Sequence, residues 1–109
     1  MMSELDPVVH EPARLLLLTL LSGVEAADFN FLRSVSGLSK GNLSAHAARL
    51  AQAGYVEVTK SFRGNMPHTE YRLTVAGRAA LEVYWRELDR IRASAIRLTR
   101  CPTKADSRL

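Results

Sequence analysis

The sequence predicts a mainly helical α+β fold in which a small β-hairpin separates three helices from a long fourth one. Apolar residues recur at helical spacing in four segments, whereas residues 55–74 alternate between apolar and polar side chains, as strands do. The glycine-containing loop "RGNMP" divides this alternating segment into two strands. The expected order is helix, short strand, helix, helix, strand, strand, helix. At 109 residues, the chain is expected to form a single domain, residues 1–109.

The first helix is expected to span residues 12–22, with the ten residues before it loosely ordered. Pro12 suits the first turn of a helix, and Gly23 suits its end. The run "LLLLTLL" makes this helix apolar on nearly all sides, which is typical of a helix in the centre of a core or at a subunit contact. The run is far shorter than the roughly 20 residues of a membrane span, so no membrane partner is expected.

A short strand and a short second helix are expected next. The segment "EAADFN" is compatible with an extended piece, and Asp28 can cap a helix that begins at Phe29 and ends at Val35. This helix would bury Phe29, Leu32 and Val35. Gly37 then breaks the helix and begins a turn.

The third helix is expected over residues 40–53, between a cap at Ser39 and a stop at Gly54. On a helical wheel of about 100° per residue, its inward stripe consists of Leu43, Ala47, Leu50, Ala51 and the aliphatic stem of Lys40. The opposite side is short, polar and partly basic, and consists of Gly41, Ala45, Arg49 and Gln52. Asn42, Ser44 and His46 flank the inward stripe.

Such a face suits the major groove of DNA. Short side chains let the helix backbone sink into a groove about 12 Å wide. Ser, Asn and His can form hydrogen bonds with base edges or phosphates, and Lys40 and Arg49 can pair with phosphates. The alternative is an ordinary packed surface helix, because alanine-rich amphipathic helices with a few polar residues are common.

The hairpin strands are expected at "YVEVTKSF" and "HTEYRLT", joined by the loop that contains Arg63. A basic loop beside the third helix can reach an adjacent minor groove, where arginine is favoured electrostatically. An ordinary solvated arginine is the alternative for Arg63. Thr74 is expected to cap the last helix, residues 75–99, and the polar residues 100–109 are expected to be frayed.

Positive charge is concentrated in the middle of the chain. The net charge is +4. Residues 1–32 contain five acidic residues and one basic residue, whereas residues 33–78 contain seven basic residues and two acidic ones. A basic segment around the third helix and the hairpin favours an anionic partner.

Two stretches carry a resemblance to a known family. The stretch "GLSKGNLSAHAARLAQAGYV" is similar to a turn, a recognition helix and a first wing strand, and "TEYRLTVAGRAAL" is similar to a second wing strand and the start of the helix after it. Together with the leucine-rich first helix, residues 11–95 resemble the winged helix-turn-helix transcriptional regulators, near their arsenical-repressor-like and multiple-antibiotic-repressor-like groups. The resemblance implies double-stranded DNA as the partner and repression by occlusion of a promoter.

The resemblance places the third helix, residues 40–53, in the major groove and the wing, residues 62–68, on the DNA backbone or in the minor groove. The predicted DNA-binding residues are Ser39, Lys40, Asn42, Ser44, His46, Arg49, Arg63, Asn65 and His68. The chain departs from the family at Ala47, where such helices usually carry a leucine. Either a neighbour fills the missing volume or the helix packs closer, because a remaining void would cost about 2–5 kcal/mol of stability.

An apolar stripe runs along the last helix at helical spacing, through Leu81, Tyr84, Trp85, Leu88 and Ile91. These residues can pack against the first helix or form the contact of a homodimer. We favour the homodimer, because the chain is short, its last helix is long, and a dimer matches two DNA half-sites about one helical turn apart.

Other classes of function find little support. The sequence has no Gly-rich phosphate loop, no Ser-His-Asp set and no paired carboxylates at helical spacing, so we expect neither an enzyme nor a cofactor. Among the histidines, only His10, beside Glu11 and near Asp6, approaches metal-ligand spacing, and we expect no metal site. No ligand domain is evident, although the sequence leaves room for a small-molecule effector.

Cys101 is the only cysteine, which excludes an internal disulfide and indicates a reducing, cytoplasmic compartment. It follows Arg100, so it could sense oxidants, or it could be incidental near a frayed end. Two rival functions remain. One is a winged-helix adaptor that binds a protein partner without DNA, and the other is an RNA binder, which the lack of an aromatic stacking platform on the third helix disfavours.

Overall fold

The computed structural model describes residues 5–100 and has the predicted order of elements. In this part of the chain, four helices accompany one antiparallel sheet with the strand order β1-β3-β2. The elements are α1 (Pro12–Ser22), β1 (Ala27–Asp28), α2 (Phe29–Ser36), α3 (Lys40–Gln52), β2 (Val56–Arg63), β3 (Met66–Leu73) and α4 (Val75–Thr99). The predicted fold class, a mainly helical α+β arrangement with a hairpin, is confirmed.

Side chains cap the first turn of every helix in this described part. The predicted caps at Asp28, Ser39 and Thr74 are confirmed, since each accepts a hydrogen bond from the backbone N–H of the third residue of its helix. The cap of α1 is Glu11, whose Oε1 lies 2.8 Å from the backbone nitrogen of Arg14. The boundaries of the helices are therefore encoded locally, by residues that satisfy otherwise unpaired N–H groups.

Strand pairing in the hairpin continues closer to its tip than predicted, and the turn is therefore tighter. Pairing runs from Val56 opposite Leu73 to Arg63 opposite Met66, which leaves only Gly64 and Asn65 in the turn. Gly64 has a φ of 65°, and a positive φ at the first of two turn residues is typical of type II′ hairpin turns. The residues of "RGNMP" on either side of the turn are therefore strand residues rather than loop.

Residues 5–11, just before α1, are ordered, contrary to the prediction of a loose N-terminus, and residues 1–4 lie outside the described part of the chain. Leu5, Val8 and Val9 are 4%, 9% and 0% exposed and belong to the core. Asp6 organises the segment, because its carboxylate accepts hydrogen bonds from the backbone of Val8 and from the Tyr55 hydroxyl. A turn of six residues is too short to show a periodic pattern, so the sequence did not indicate that its apolar residues would be buried.

The core lies between α1 and the inner sides of α3, α4 and the sheet. Its largest fully buried side chains are Val9, Leu17, Leu18, Leu21, Leu32, Leu43 and Leu50. The prediction for α2 was wrong at one position, since Leu32 is buried and Phe29 packs against the core, but Val35 is 48% exposed. Val35 lies in the last turn of this eight-residue helix, just before the chain leaves at Gly37.

The last helix is the longest element of the described chain. α4 has 25 residues and is about 37 Å long. α4 begins against Tyr55 and Leu73, packs along α1, and then continues with exposed residues at its end. Among the described helices, none is both long enough and apolar enough to cross a membrane.

Candidate nucleic-acid interface

The outward face of α3 is the starting point of the candidate site. Leu43, Ala47 and Leu50 are 0%, 4% and 1% exposed, so the helix is oriented as the helical wheel predicts. The exposed residues are Lys40, Gly41, Asn42, Ser44, Ala45, Ala48, Arg49 and Gln52. Along the centre of this face, Gly41, Ala45 and Ala48 bear no side chain longer than a methyl group. The helix backbone can therefore approach a flat or convex partner closely.

Gly41 has no role in the packing of the chain itself. A Cβ atom placed on it would meet nothing within 4 Å, and no positive φ is required there. Glycine inside a helix is less favourable than alanine by about 0.5–1 kcal/mol. The internal structure of the protein thus gives no reason for glycine at this exposed position.

Polar and basic side chains flank this small-residue centre. Lys40, Asn42, Ser44 and Arg49 are all exposed, as predicted for groups that meet a partner. The Ser39 hydroxyl oxygen accepts a hydrogen bond from the backbone nitrogen of Asn42 at 3.1 Å, so it caps the helix and keeps its own O–H to donate. The positive end of the helix dipole adds to the charge of Lys40 on this side.

His46 lies apart from the other predicted DNA-binding residues of α3. Its side chain is 24% exposed, and its Nδ1 is 3.3 Å from Arg14 Nη1 and 3.8 Å from Glu11 Oε1. Arg14 also donates to the Val8 carbonyl, at 2.6 Å. His46 therefore faces the beginning of α1 and ties α3 to the N-terminal segment.

The wing carries its predicted polar residues in two different environments. Arg63 and Asn65 lie at the exposed tip, and the Arg63 side chain is 69% exposed. His68 is mostly covered, at 17% exposure, and its Nε2 is 3.4 Å from the Glu70 carboxylate. Arg63 lies 3.8 Å from the same carboxylate. Glu70 thus lies beside both side chains and partly offsets the charge of Arg63.

Two clefts separate α3 and α2 from the wing. The larger, of about 520 Å³, is lined by Ser44, Ala47, Ala48, Ala51, Gln52, Val58, Lys60 and Tyr71. Ala47 lines this open cleft, so the volume that a leucine would occupy there is not enclosed as a void in the core. The smaller, of about 370 Å³, is lined by Asp28, Phe29, Asn30, Arg33, Lys40, Met66, Pro67, His68 and Thr69.

The structure adds residues to the site that were not predicted. Asn30 and Arg33 of α2 line the smaller cleft beside Lys40, and Gln52 lines the larger one. Arg33 lies in the basic segment of the sequence, but only the fold brings it next to Lys40. Phe62 and Met66, at the wing tip, are 72% and 69% exposed. Strand alternation predicted neither, because it does not tell which part of a hairpin extends beyond the core.

Two tyrosine side chains, Tyr55 and Tyr71, have a raised pKa. Burial raises the pKa of Tyr71, whose side chain lines the larger cleft. The hydrogen bond from the Tyr55 hydroxyl to the Asp6 carboxylate raises the pKa of Tyr55, and burial and the negative charge of Asp6 add to the effect. Both hydroxyls are neutral at ordinary pH.

The predicted dimer residues of α4 divide into two groups. Leu81 and Tyr84 are 6% and 4% exposed within a single chain, and the Tyr84 hydroxyl is 2.8 Å from His10 Nδ1. These two residues therefore belong to the core of one chain, which corrects their assignment to a subunit contact. Leu88 and Ile91 are partly buried against the core, and Trp85 is 41% exposed.

Residues 5–100 contain no group of three or more His, Cys, Asp or Glu side chains placed to hold a metal ion. His10, the histidine with the most suggestive spacing, lies instead against Tyr84. Cys101 and the rest of the predicted tail lie outside the described residues.

Comparison with known proteins gives a consistent match. A model of the winged helix DNA-binding domain matches residues 13–92. An uncharacterised protein of Methanocaldococcus jannaschii is 33% identical over 81 residues, which cover 74% of this chain and 88% of that protein. The matched region includes α1, the candidate interface and most of α4.

Solved structures share the same arrangement. A transcriptional regulator homologue from Pyrococcus horikoshii superposes with a TM-score of 0.75 at 24% identity, over 81% of this chain and 87% of its own. A possible transcriptional regulator for arsenical resistance gives a TM-score of 0.58 at 32% identity, over 80% of this chain and 91% of its own. At 24% identity, the similarity to the Pyrococcus horikoshii protein is one of fold. At 32% identity, the similarity to the second protein extends to the sequence.

Proposed function

The chain belongs to the winged helix DNA-binding domain family, and on this premise we propose that it is a transcriptional regulator that binds double-stranded DNA sequence-specifically. The observation that carries the proposal is the outward face of α3. Its centre consists of Gly41, Ala45 and Ala48, its flanks are polar or basic, and the basic hairpin lies beside it. The proposed place of action is the cytoplasm.

In the proposed complex, α3 lies in the major groove with its backbone close to the base edges. Asn42 and Ser44 are the candidates for hydrogen bonds with bases, since both are exposed next to the small-residue centre. Lys40, Arg49 and Arg33 of α2 are the candidates for ion pairs with phosphates, since all three are exposed. Phosphate contacts would supply most of the affinity, and base contacts would determine which DNA sequence is bound.

The wing would contact DNA beside α3. Arg63 and Asn65 lie at its exposed tip and can reach the sugar–phosphate backbone or the minor groove. His68 and His46 would act indirectly, because His68 is held by Glu70 and His46 by Arg14. Binding of such a molecule over a promoter would exclude the polymerase, so the proposed direction of regulation is repression.

The proposed functional unit is a homodimer that pairs through α4. The stripe that contains Tyr84, Leu88 and Ile91 continues to Ala95 and Leu98 at a spacing of seven residues. The core of one chain covers the beginning of this stripe, but Leu98, at its end, is 80% exposed. A second α4 packed alongside would cover this end of the stripe and would place two copies of α3 on successive DNA half-sites.

Fluorescence anisotropy with labelled duplexes tests the proposal. A duplex from upstream of the protein's own gene and a scrambled duplex are titrated at about 50 and 200 mM salt. We expect tighter binding to the upstream duplex, weakening steeply with salt. Arg49→Ala should reduce affinity for both duplexes and lower the salt slope by about one unit, as for loss of one phosphate contact.

A matched control is Arg86→Ala, because Arg86 is exposed on α4 rather than on α3. It removes the same charge and should leave the salt slope unchanged. Absence of binding to either duplex at low salt would contradict the proposal and favour a protein-interaction adaptor. Equal binding to both duplexes would retain DNA binding but contradict regulation at the protein's own gene.

A further inference from the structure

Two large apolar side chains stand exposed at the tip of the wing. Phe62 is 72% exposed and Met66 is 69% exposed, and they lie on either side of the Gly64–Asn65 turn. Every residue of β2 from Thr59 onward is exposed, so no part of the described chain covers this end of the hairpin. The tip therefore presents apolar surface to whatever the wing meets.

The local structure of the hairpin does not require these side chains. The turn is set by Gly64 and Asn65, and any β-forming residue, such as threonine or valine, would continue the strands. Phe62 pairs with Pro67, and Arg63 pairs with Met66. Because neighbouring pairs face opposite sides of a sheet, both faces of the tip carry apolar residues. Two large apolar side chains at the end of one projecting hairpin make that end a candidate contact surface.

Basic side chains beside the tip, whose charge Glu70 only partly offsets, favour an anionic occupant. Arg63 lies directly opposite Met66, and Lys60 lies two residues before Phe62 on the same face of β2. Proteins that enter the minor groove combine cations, drawn by its negative potential, with Phe, Met or Pro side chains inserted between base steps. The wing tip contains both kinds of residue. Arg63 is the cation, and the apolar side chains are Phe62, Met66 and Pro67.

The tip also has a suitable reach. The exposed part of β2, residues 59–63, is about 15 Å long, whereas a minor groove is about 7.5 Å deep. The hairpin ends in a turn of only two residues, so its end is narrow. Pro67, opposite Phe62, stiffens the backbone behind that side chain.

We propose that Phe62 and Met66, on opposite faces of the wing tip, form an apolar wedge that enters the minor groove beside Arg63. Phe62 partly unstacks one base step and bends the duplex, and Met66 packs against the groove wall. This inference rests on the proposed function and adds a mode of sequence selection to it. Pyrimidine–purine steps unstack most easily, so the operator should favour such a step under the wing, where no base hydrogen bond reads it. Insertions of this kind bend DNA by about 20–90°.

Bending and unstacking are measured on a duplex that the full-length protein selects from a randomised pool. Donor and acceptor dyes at the two ends report the end-to-end distance, and 2-aminopurine at the step under the wing reports unstacking. We expect the wild-type protein to shorten the end-to-end distance and to raise 2-aminopurine emission several-fold. Phe62→Ala should abolish most of both changes and reduce affinity about tenfold, and Met66→Ala should reduce them in part.

The control is Val75→Ala, because Val75 is 88% exposed but lies at the start of α4, outside the wing. It should bend DNA as the wild type does. Wild-type binding without bending or unstacking would overturn the wedge while leaving the proposed function intact. Unchanged bending in Phe62→Ala, with a change in oligomeric mass, would also overturn it and make the tip a protein contact. Failure to select any duplex would overturn both proposals.

Discussion

At the scale of single residues, the small side chains of α3 decide how close its backbone can come to DNA. Gly41 illustrates this, because its missing Cβ leaves open space on the exposed side of the helix and nothing inside the chain requires it. Glycine weakens the helix at this position and brings no benefit to packing. We therefore attribute it to the open surface that it leaves for a partner. The same reasoning applies to Ala45 and Ala48, which continue that surface.

Gly41→Ala should therefore separate stability from binding. Alanine is the better helix former, so we expect the free energy of unfolding to rise by about 0.5–1 kcal/mol, measured by thermal or urea denaturation. DNA affinity should fall at least several-fold, because the methyl group holds the backbone away from the groove. Gly23→Ala, at the exposed end of α1, is the control and should leave affinity unchanged. A Gly41→Ala protein that binds as tightly as the wild type would rule out close approach.

Tyr55 makes stability depend on pH in the alkaline range. Its pKa is raised by the hydrogen bond to Asp6, so the folded chain holds the proton more tightly than the unfolded chain. The resulting stabilisation is complete below the unfolded pKa of about 10 and disappears as the pH rises through the higher, folded pKa. Urea denaturation between pH 7 and pH 11 should show this decline.

Tyr55→Phe should be less stable than the wild type at pH 7 and should show a shallower alkaline decline. Some decline should remain, because burial raises the pKa of Tyr71 and acts with the same sign. An alkaline decline as steep as that of the wild type would show that the Tyr55–Asp6 hydrogen bond does not hold the N-terminal segment in place.

At the scale of elements, the junction between the hairpin and α4 fixes the position of the wing relative to the helices. A Cβ atom on Gly77 would lie 2.1 Å from the Tyr55 carbonyl oxygen and 2.9 Å from Leu73 Cδ1. The same carbonyl accepts a hydrogen bond from the Thr74 nitrogen at 3.1 Å. The start of α4 is therefore pressed against the backbone that joins α3 to β2.

Gly77→Ala should destabilise the fold, because a backbone carbonyl cannot move aside as a flexible side chain can. We expect a loss of about 1–3 kcal/mol or more in the free energy of unfolding, despite the better helix propensity of alanine. Gly41→Ala provides the comparison, since the same substitution in open space should stabilise. A Gly77→Ala protein at least as stable as the wild type would mean that this packing is looser than the structure indicates.

Element order and boundaries followed from the sequence because caps, glycines and periodicity are local signals. Asp28, Ser39 and Thr74 begin their helices as predicted, and the inward stripe of α3 agrees with its wheel. The features that the sequence did not predict depend on tertiary contacts. The burial of Val9, the contact of His46 with Arg14 and the exposure of Phe62 are set by which elements meet, and a single sequence does not encode that locally.

At the scale of the whole molecule, one end of α4 lies beyond the body that covers its beginning. Leu98, the last residue of the apolar stripe on α4, is 80% exposed on this projecting end. Burial of such side chains between two copies is the most direct way to remove them from water. The proposed dimer would also set the spacing of the two recognition helices.

Leu98→Asp should disrupt this dimer. We expect the wild type to have twice the 12.1 kDa mass of one chain in analytical ultracentrifugation at micromolar concentration, and Leu98→Asp to shift toward the single-chain mass. Affinity for a duplex with two half-sites should fall more than affinity for one half-site. Val75→Asp, at the opposite end of α4, is the control and should stay dimeric. A monomeric wild type would contradict the dimer but not DNA binding.

Chemical protection of bound DNA tests most directly whether α3 occupies the major groove and the wing the minor groove. Dimethyl sulfate methylates guanine N7, which faces the major groove, and adenine N3, which faces the minor groove. On a selected duplex, we expect two clusters of guanine N7 protection about one helical turn apart, each with adenine N3 protection beside it. Saturated binding that leaves guanine N7 as reactive as in free DNA would contradict the account, because α3 would then lie outside the major groove.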